Sequence, residues 1–394
     1  VLLLNVCFGL LLYAVLFVSS RSIASFYEEK SLVLILRILG LIVVINSLGI
    51  SQRTWLINNG KIRQLALINV SSILVAGLIA VFFALMGLGV WAIVLQSIVY
   101  SLVAFLLVWW QGKLQFSMFF SKNSFKSIFI FSRHLLIANI YSSIVNELFS
   151  VIIGKFFAKQ SVGYYVQSRR LTDSVSNSLA AINNQVFLPM LSSNREEDIK
   201  FLGLFRAAVT SVAFVSAPMM VLIMILSEPF VIVFLGEKWI DAVPILRYLS
   251  LSRVLLPLSA VNMMVFNAMG RSDLYLKVDM AKLPLLLIIL IITIPQGLIS
   301  MVQGLALAVL LSYTLEAIIL GRILKFGLFV QLRDTLSIYI ITFMMGAIVY
   351  VVIGLLESGV WKICLGSLSG LVSYVVLSWV FQKRSIERIK CLWE

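Results

Sequence analysis

Residues 130–154 read IFSRHLLIANIYSSIVNELFSVIIG, an apolar run into which Arg133, His134, Asn139, Asn146 and Glu147 are set. A charge at the centre of a bilayer costs about 3 kcal/mol on insertion scales, so these groups need partners or water. On a helix, Arg133, Asn139, Asn146 and Glu147 fall within an arc of about 140°, with Ser132, Ser143 and Ser150, while His134 points elsewhere. Residues 163–191, GYYVQSRRLTDSVSNSLAAINNQVFLPML, are more polar still. There Arg170, Asn177 and Asn184 recur at helical spacing, with Asp173, Ser174, Gln167 and Gln185 beside them. Two neighbouring helices with wide polar faces imply a hydrated cavity between them, since lipid satisfies neither. Pairing of Arg133 with Glu147, and of Arg170 with Asp173, is expected to offset the insertion cost. Guanidinium groups suit phosphate oxygens through forked hydrogen bonds, and amides suit sugar hydroxyls. Such a cavity fits an amphiphile with a phosphorylated, sugar-bearing head. Glu316 is a further intramembrane acid, with Ser312 and Tyr313 one turn earlier, and with Glu147 and Asp173 it is a candidate proton or cation carrier.

The elements that must position these groups are membrane helices. The 394 residues are 61% hydrophobic and 12% charged, with a mean hydropathy of +1.07. The apolar residues arrive in blocks long enough to cross a bilayer. About twelve spans are expected: 1–18, 32–50, 64–86, 90–110, 128–153, 163–190, 207–226, 242–268, 283–295, 300–320, 335–356 and 363–381, the ninth starting earlier, near Leu274. The fold class is an all-α integral membrane bundle. The first span lacks the basic start and small-residue cleavage site of a signal peptide. The single histidine, the scattered Cys7, Cys364 and Cys391 and the lack of a P-loop motif point away from a zinc site, a disulfide framework or an ATPase, and no cofactor is expected.

The net charge of +14 follows from orientation rather than from nucleic-acid binding. Connections after even-numbered spans, with the C-terminal tail, carry 19 Lys and Arg; those after odd-numbered spans carry 6. The positive-inside rule places the first set and the C-terminus in the cytoplasm. Arg37, Arg247 and Arg253 remain inside spans as single charges, expected to be structural.

The sequence also repeats. RQLALINVSSILVAGLIAVFFALMGLG and SDLYLKVDMAKLPLLLIILIITIPQGL each precede a tight turn, about 209 residues apart. Spans one to four then pair with seven to ten, and five and six lack a partner, as if a first helix pair of the repeat were absent. This divides the chain into a partial N-lobe (1–110), a cytoplasmic linker lying on the membrane surface (111–127), a C-lobe (128–322), and two additional helices with a basic tail (323–394).

Four stretches are familiar: GLGVWAIVLQSIV (87–99), VIIGKFFAKQSVGYYVQSRRL (151–171), FLGEKWIDAVPIL (234–246) and NAMGRSDLYLKV (267–278). With them the chain resembles the bacterial polysaccharide exporters, or O-antigen flippases, of the multidrug/oligosaccharidyl-lipid/polysaccharide superfamily, in the colanic-acid and teichuronic-acid exporter branch. The resemblance implies two six-helix lobes plus two C-terminal helices, with the chain starting at the family's third span. It implies transport, not catalysis: flipping of an undecaprenyl-diphosphate-linked oligosaccharide across the bacterial plasma (inner) membrane for exopolysaccharide or O-antigen assembly. Arg133, Arg169 and Arg170 would receive the diphosphate, and Asn139, Asn146, Asn177 and Asn184 the sugars. Expected partners are the lipid-linked substrate, membrane lipids, H⁺ or Na⁺, and the polysaccharide polymerase machinery. The alternatives are a cation-coupled drug antiporter of the same superfamily, which would want an acidic or aromatic cavity, and a membrane polysaccharide polymerase, which would want a long outer loop bearing acid/base residues.

Overall fold

The computed structural model describes residues 2–112, 140–141, 143–145, 147–357 and 359–381. All its long elements are helices. They are α1 (Leu2–Phe26), α2 (Leu32–Asn58), α3 (Ile62–Leu85), α4 (Val90–Gln111), α5 (140–156), α6 (Lys159–Ile182), the short α7 (Leu188–Ser193), α8 (Asp198–Phe230), α9 (Ala242–Ala268), α10 (Ser272–Thr293), α11 (Leu298–Leu324), α12 (Leu328–Gly354) and α13 (Gly359–Phe381). Among the described residues ten helices are long and apolar enough to cross a membrane. Such a chain has to be helical, because a helix satisfies its own backbone groups where no water is available. The α6 helix is as long as the others, but its polar face keeps it out of that set. The protein is an all-α, multi-pass membrane protein. The expected surface helix over 113–127 and the basic tail beyond 381 lie outside the described residues.

The chain forms two compact units, Val1–Ser143 and Ile144–Glu394. In the first, α1 packs on α2, α2 on α4, and α3 on α4. In the second, α8 packs on α9, α9 on α11, and α10 on α11. The repeat expected from sequence is therefore a repeat of packing. It extends to the turns. After α2, Lys61 N donates to Leu56 O at 2.9 Å and Gly60 N to Ile57 O at 3.0 Å; after α9, Arg271 N donates to Phe266 O and Gly270 N to Asn267 O, both at 2.9 Å. Both are Schellman caps, which need one residue in the left-handed region, and Gly60 (φ +67°) and Gly270 (φ +72°) occupy it without a Cβ penalty. Side chains repeat as well. Arg37 on α2 donates through Nε to Ser20 Oγ at 3.1 Å, and Arg247 on α9 to Ser227 Oγ at 3.1 Å. Each serine in turn donates back to its own helix, to Phe17 O at 2.7 Å and to Met224 O at 2.8 Å.

The second unit has further layers. α6 packs along α9, and α12 and α13 pack on α8. This leaves α9 as the most deeply buried of the ten spans. Its apolar residues run all round the helix, as burial on several sides requires. The core centres on Phe205, Phe266, Tyr313 and Phe326. Where α11 turns into α12 the backbones nearly touch: a Cβ on Gly321 would stand 2.7 Å from Gly327 Cα.

Candidate functional site

The polar face of α6 and the buried helix α9 together build the site. Arg169 lies ten residues into α6, about 15 Å along the axis. At that depth it is too far from an end to snorkel. It makes four hydrogen bonds instead. Nη1 donates to Glu147 Oε2 at 2.9 Å and Nη2 to Glu147 Oε1 at 3.0 Å; Nη1 also donates to Ser150 Oγ at 3.0 Å, and Nε to Asp173 Oδ2 at 3.1 Å. The other oxygen of Asp173 accepts from Arg253 Nε at 2.8 Å. Glu147, Arg169, Asp173 and Arg253 thus form a chain of alternating charge across α5, α6 and α9, with no net charge. The two ends of the chain differ in burial: the Glu147 side chain is 58% exposed, whereas that of Arg253 is 8% exposed.

Two sequence expectations change here. Asp173 pairs with Arg169 and Arg253, not with Arg170. Residues four apart lie over one another on a helix, and Asp173 is four on from Arg169. Arg170 is exposed and makes no ion pair with a described residue. Glu147 is taken by Arg169; its expected partner Arg133, like Asn139 and Asn146, lies outside the described residues. Arg253 was expected to be an isolated structural charge and is instead the buried end of the network. One signal pointed to it: a guanidinium within a span needs an acid, and the neighbouring helix offers Asp173.

Further along α6, Ser176, Asn177, Ala180 and Asn184 line a cavity of about 380 Å³ whose other wall is α9, with Ser259 and Asn267. One wall departs from a regular helix and the other carries a proline. Asn184 lies in a π-helical turn, Asn183–Phe187, and Pro257 stands inside α9. Proline has no N–H to donate, and Ser216 Oγ donates to the nearby Val254 O at 3.4 Å. π turns gather at functional sites. Asn183 is buried, and neither polar atom of its side chain has a hydrogen-bond partner.

Behind this cavity lies Glu316, fully buried on α11. Ser259 Oγ donates to its Oε1 at 2.7 Å, and Lys282 Nζ stands 2.7 Å from the same oxygen. From sequence, Glu316 has no obvious local partner. The earlier start expected for the ninth span, near Leu274, is close to the observed one: α10 begins at Ser272, so Lys282 lies ten residues inside the helix and supplies that partner. An apolar window cannot open until it has passed Lys282, which hides the first turns of the span. Asp279 also reaches Lys282, at 3.4 Å. Next to this pair, Tyr313 donates to Gln331 Oε1 at 2.8 Å and Gln331 Nε2 to Asn262 Oδ1 at 3.2 Å. Among the described residues there is no group of three or more His, Cys, Asp or Glu that could hold a metal ion.

The geometry therefore offers two guanidiniums bridged by Asp173, one of them also forked onto the half-exposed Glu147, with an amide-lined cavity beside them. Comparison with known proteins gives the setting. Residues 1–244 match the family described as Polysaccharide biosynthesis protein. The chain is 26% identical over 351 residues to the teichuronic acid biosynthesis protein TuaB of Bacillus subtilis (strain 168), which covers 88% of this chain and 72% of that protein. It is 26% identical over 263 residues to the succinoglycan biosynthesis transport protein ExoT of Rhizobium meliloti (strain 1021), covering 64% of this chain and 51% of that one. In fold it is similar to the lipid II flippase MurJ in an inward closed conformation, with a TM-score of 0.76 and 16% identity, over 96% of this chain and 82% of that one.

Proposed function

The chain belongs to the polysaccharide biosynthesis protein family, and on that premise we propose that it moves a lipid-linked oligosaccharide, attached through an undecaprenyl-diphosphate-type group, from the inner to the outer leaflet of the bacterial plasma membrane. The observation that carries this reading is the continuity of the α6 face. The Arg169 and Arg253 guanidiniums, bridged by Asp173, lead directly to Asn177 and Asn184 in the cavity.

The network has no net charge, so an anionic head is admitted by exchange. A diphosphate presents the same forked acceptor geometry to Arg169 as Glu147 does. Glu147 is more than half exposed, so water can take over its solvation as the diphosphate takes over its fork, while Asp173 keeps both guanidiniums aimed. Arg170, exposed on the same helix, adds a second cation. Asn177 and Asn184 then hydrogen-bond sugar hydroxyls. The remaining faces are apolar and leave the polyprenyl tail in lipid. Alternating access would open the site first to the inner and then to the outer leaflet. An interior-negative potential favours outward movement of an anion by about 2.3 kcal/mol per charge per 100 mV. Glu147, once displaced, is free to take up H⁺ or Na⁺, which makes it the first candidate coupling group; Asp173 and Glu316 are the others, each already facing a cation of the chain itself. A drug antiporter would need a free intramembrane acid, and here Arg169 holds both Glu147 and Asp173.

The test is a vesicle assay with a labelled lipid-linked oligosaccharide. The protein should make the outer-leaflet label accessible without lengthening the glycan. Chain growth would establish a polymerase instead, and loss of flipping in Arg169→Lys would tie the activity to the forked contact.

A further inference from the structure

A second charged cavity, of about 770 Å³, lies at the end of the second unit that carries the α8–α9 and α12–α13 connections. Its walls come from α8, α9, α12 and α13, and no α6 residue lines it. Ile225 and Ile353 are among its apolar walls, and four charged groups line it: Arg247, Lys362, Glu228 and Glu357. Arg247 is fixed by Ser227 and reaches Glu228 Oε2 with Nη2 at 3.0 Å. Both side chains of that pair remain about half exposed, at 46% and 56%. Lys362 and Glu357 make no ion pair with a described residue.

The repeat provides an internal comparison. Arg37 makes the same bond to Ser20, but its guanidinium lies over the Phe17 ring, 4.0 Å from the centroid, and the residue after the serine is Arg21 rather than an acid. The second unit has replaced the ring with Met224 and the base with Glu228, and it has added the α12 and α13 walls. An arginine that is packed away in one copy faces an open, mixed-charge cavity in the other.

We propose that this cavity binds the headgroup of a membrane lipid of the phosphatidylethanolamine class. Two cations, Arg247 and Lys362, receive the phosphodiester, and two carboxylates, Glu228 and Glu357, receive the primary ammonium. A purely anionic head would leave both carboxylates facing it unmatched. A quaternary ammonium has no N–H to donate and binds aromatic faces instead. Apolar walls beside the charges let the acyl chains stay in the bilayer. Tyr350 and Trp361 are 72% and 60% exposed at this level, as aromatic residues at a membrane–water boundary are. In the orientation set by the basic connections, the site faces the outer leaflet. The proposal is independent of the oligosaccharide cargo.

The experiment equilibrates the purified chain with vesicles of equal parts phosphatidylethanolamine, phosphatidylcholine and phosphatidylglycerol, then counts retained lipid by native mass spectrometry. The ethanolamine lipid should be retained over each of the others by about tenfold. R247Q/K362Q should abolish that retention. E228Q/E357Q should erase the preference over phosphatidylglycerol, and R37Q, the matched change in the first unit, should leave retention unchanged. Equal retention of the three lipids by the unaltered chain overturns the proposal without any variant. So does a preference for phosphatidylglycerol, which would make the site a phosphate site only. Displacement of the bound lipid by lipid-linked oligosaccharide would assign the cavity to the cargo and likewise overturn it.

Discussion

Arg169 grips Glu147 with both ends of its guanidinium, Nη1 to Oε2 at 2.9 Å and Nη2 to Oε1 at 3.0 Å, while its Nε holds Asp173 at 3.1 Å. One side chain thus joins α5 to α6 and, through Asp173 and Arg253, to α9. A lysine carries the same charge but lacks the planar fork. Arg169→Lys is expected to preserve the fold and to lower oligosaccharide flipping by about tenfold or more, as loss of one charge-assisted bond of about 1.5–3 kcal/mol implies. Flipping rates in vesicles, with the melting temperature as control, measure it.

Asp173 serves two arginines, one of them buried. Asp173→Ala leaves Arg253 without a counter-charge, and a broken buried pair costs about 3–5 kcal/mol. The double variant Asp173→Leu with Arg253→Leu removes both charges and should recover most of the lost stability. Thermal unfolding in detergent of the two singles and the double is the check; equal loss in all three would mean the groups do not interact.

Lys282 and Glu316 should obey the same rule with a different functional outcome. Glu316→Gln alone strands the Lys282 ammonium and should lower the melting temperature. Lys282→Met with Glu316→Met should restore it. If the pair is purely structural, the double variant flips cargo at the normal rate; if Glu316 carries the coupling ion, the double variant melts normally yet loses its response to an ion gradient.

Asn177→Ala and Asn184→Ala remove amides that line a cavity rather than a packed core. Each should leave the melting temperature within about 1 °C and reduce flipping roughly fivefold, the equivalent of a hydrogen bond of about 1 kcal/mol. A drop in stability of several degrees would mark them as helix-packing residues instead.

Gly321→Ala should fail at the level of folding. The added methyl group would stand 2.7 Å from Gly327 Cα, and backbone cannot swing aside as a side-chain tip can. Yield of monodisperse protein is the readout, with Gly77→Ala, whose Cβ meets nothing within 4 Å, as the control.

The membrane helices were legible because the apolar blocks are long. The span expected at 242–268 coincides with α9 (Ala242–Ala268). Where a charge sits inside a span the reading shortens. The ninth span, read as 283–295 with an earlier start near Leu274, begins at Ser272; Lys282 interrupts its hydropathy, and its partner Glu316 was therefore seen alone. Helical periodicity put Arg170 on the face of Asp173, Asn177 and Asn184 and so favoured it as the partner of Asp173, whereas Arg169 makes that pair. That choice depends on which side of α6 meets α9, a tertiary fact. Arg253 was hidden for the same reason: α9 is buried on several sides, so its own pattern does not single out the face that meets α6. The repeat was visible in two stretches of sequence. Its strongest mark, the duplicated bond of Arg37 to Ser20 and Arg247 to Ser227, joins residues too far apart in sequence for local matching to find.

The two walls of the amide-lined cavity each carry a local departure from the regular ladder of main-chain bonds. One holds a π turn at Asn183–Phe187; the other, the continuous helix α9, holds Pro257, which has no N–H to donate. Any change in the width of this cavity is therefore expected at these two turns, while the aromatic core around Phe205 and Phe266 keeps its packing.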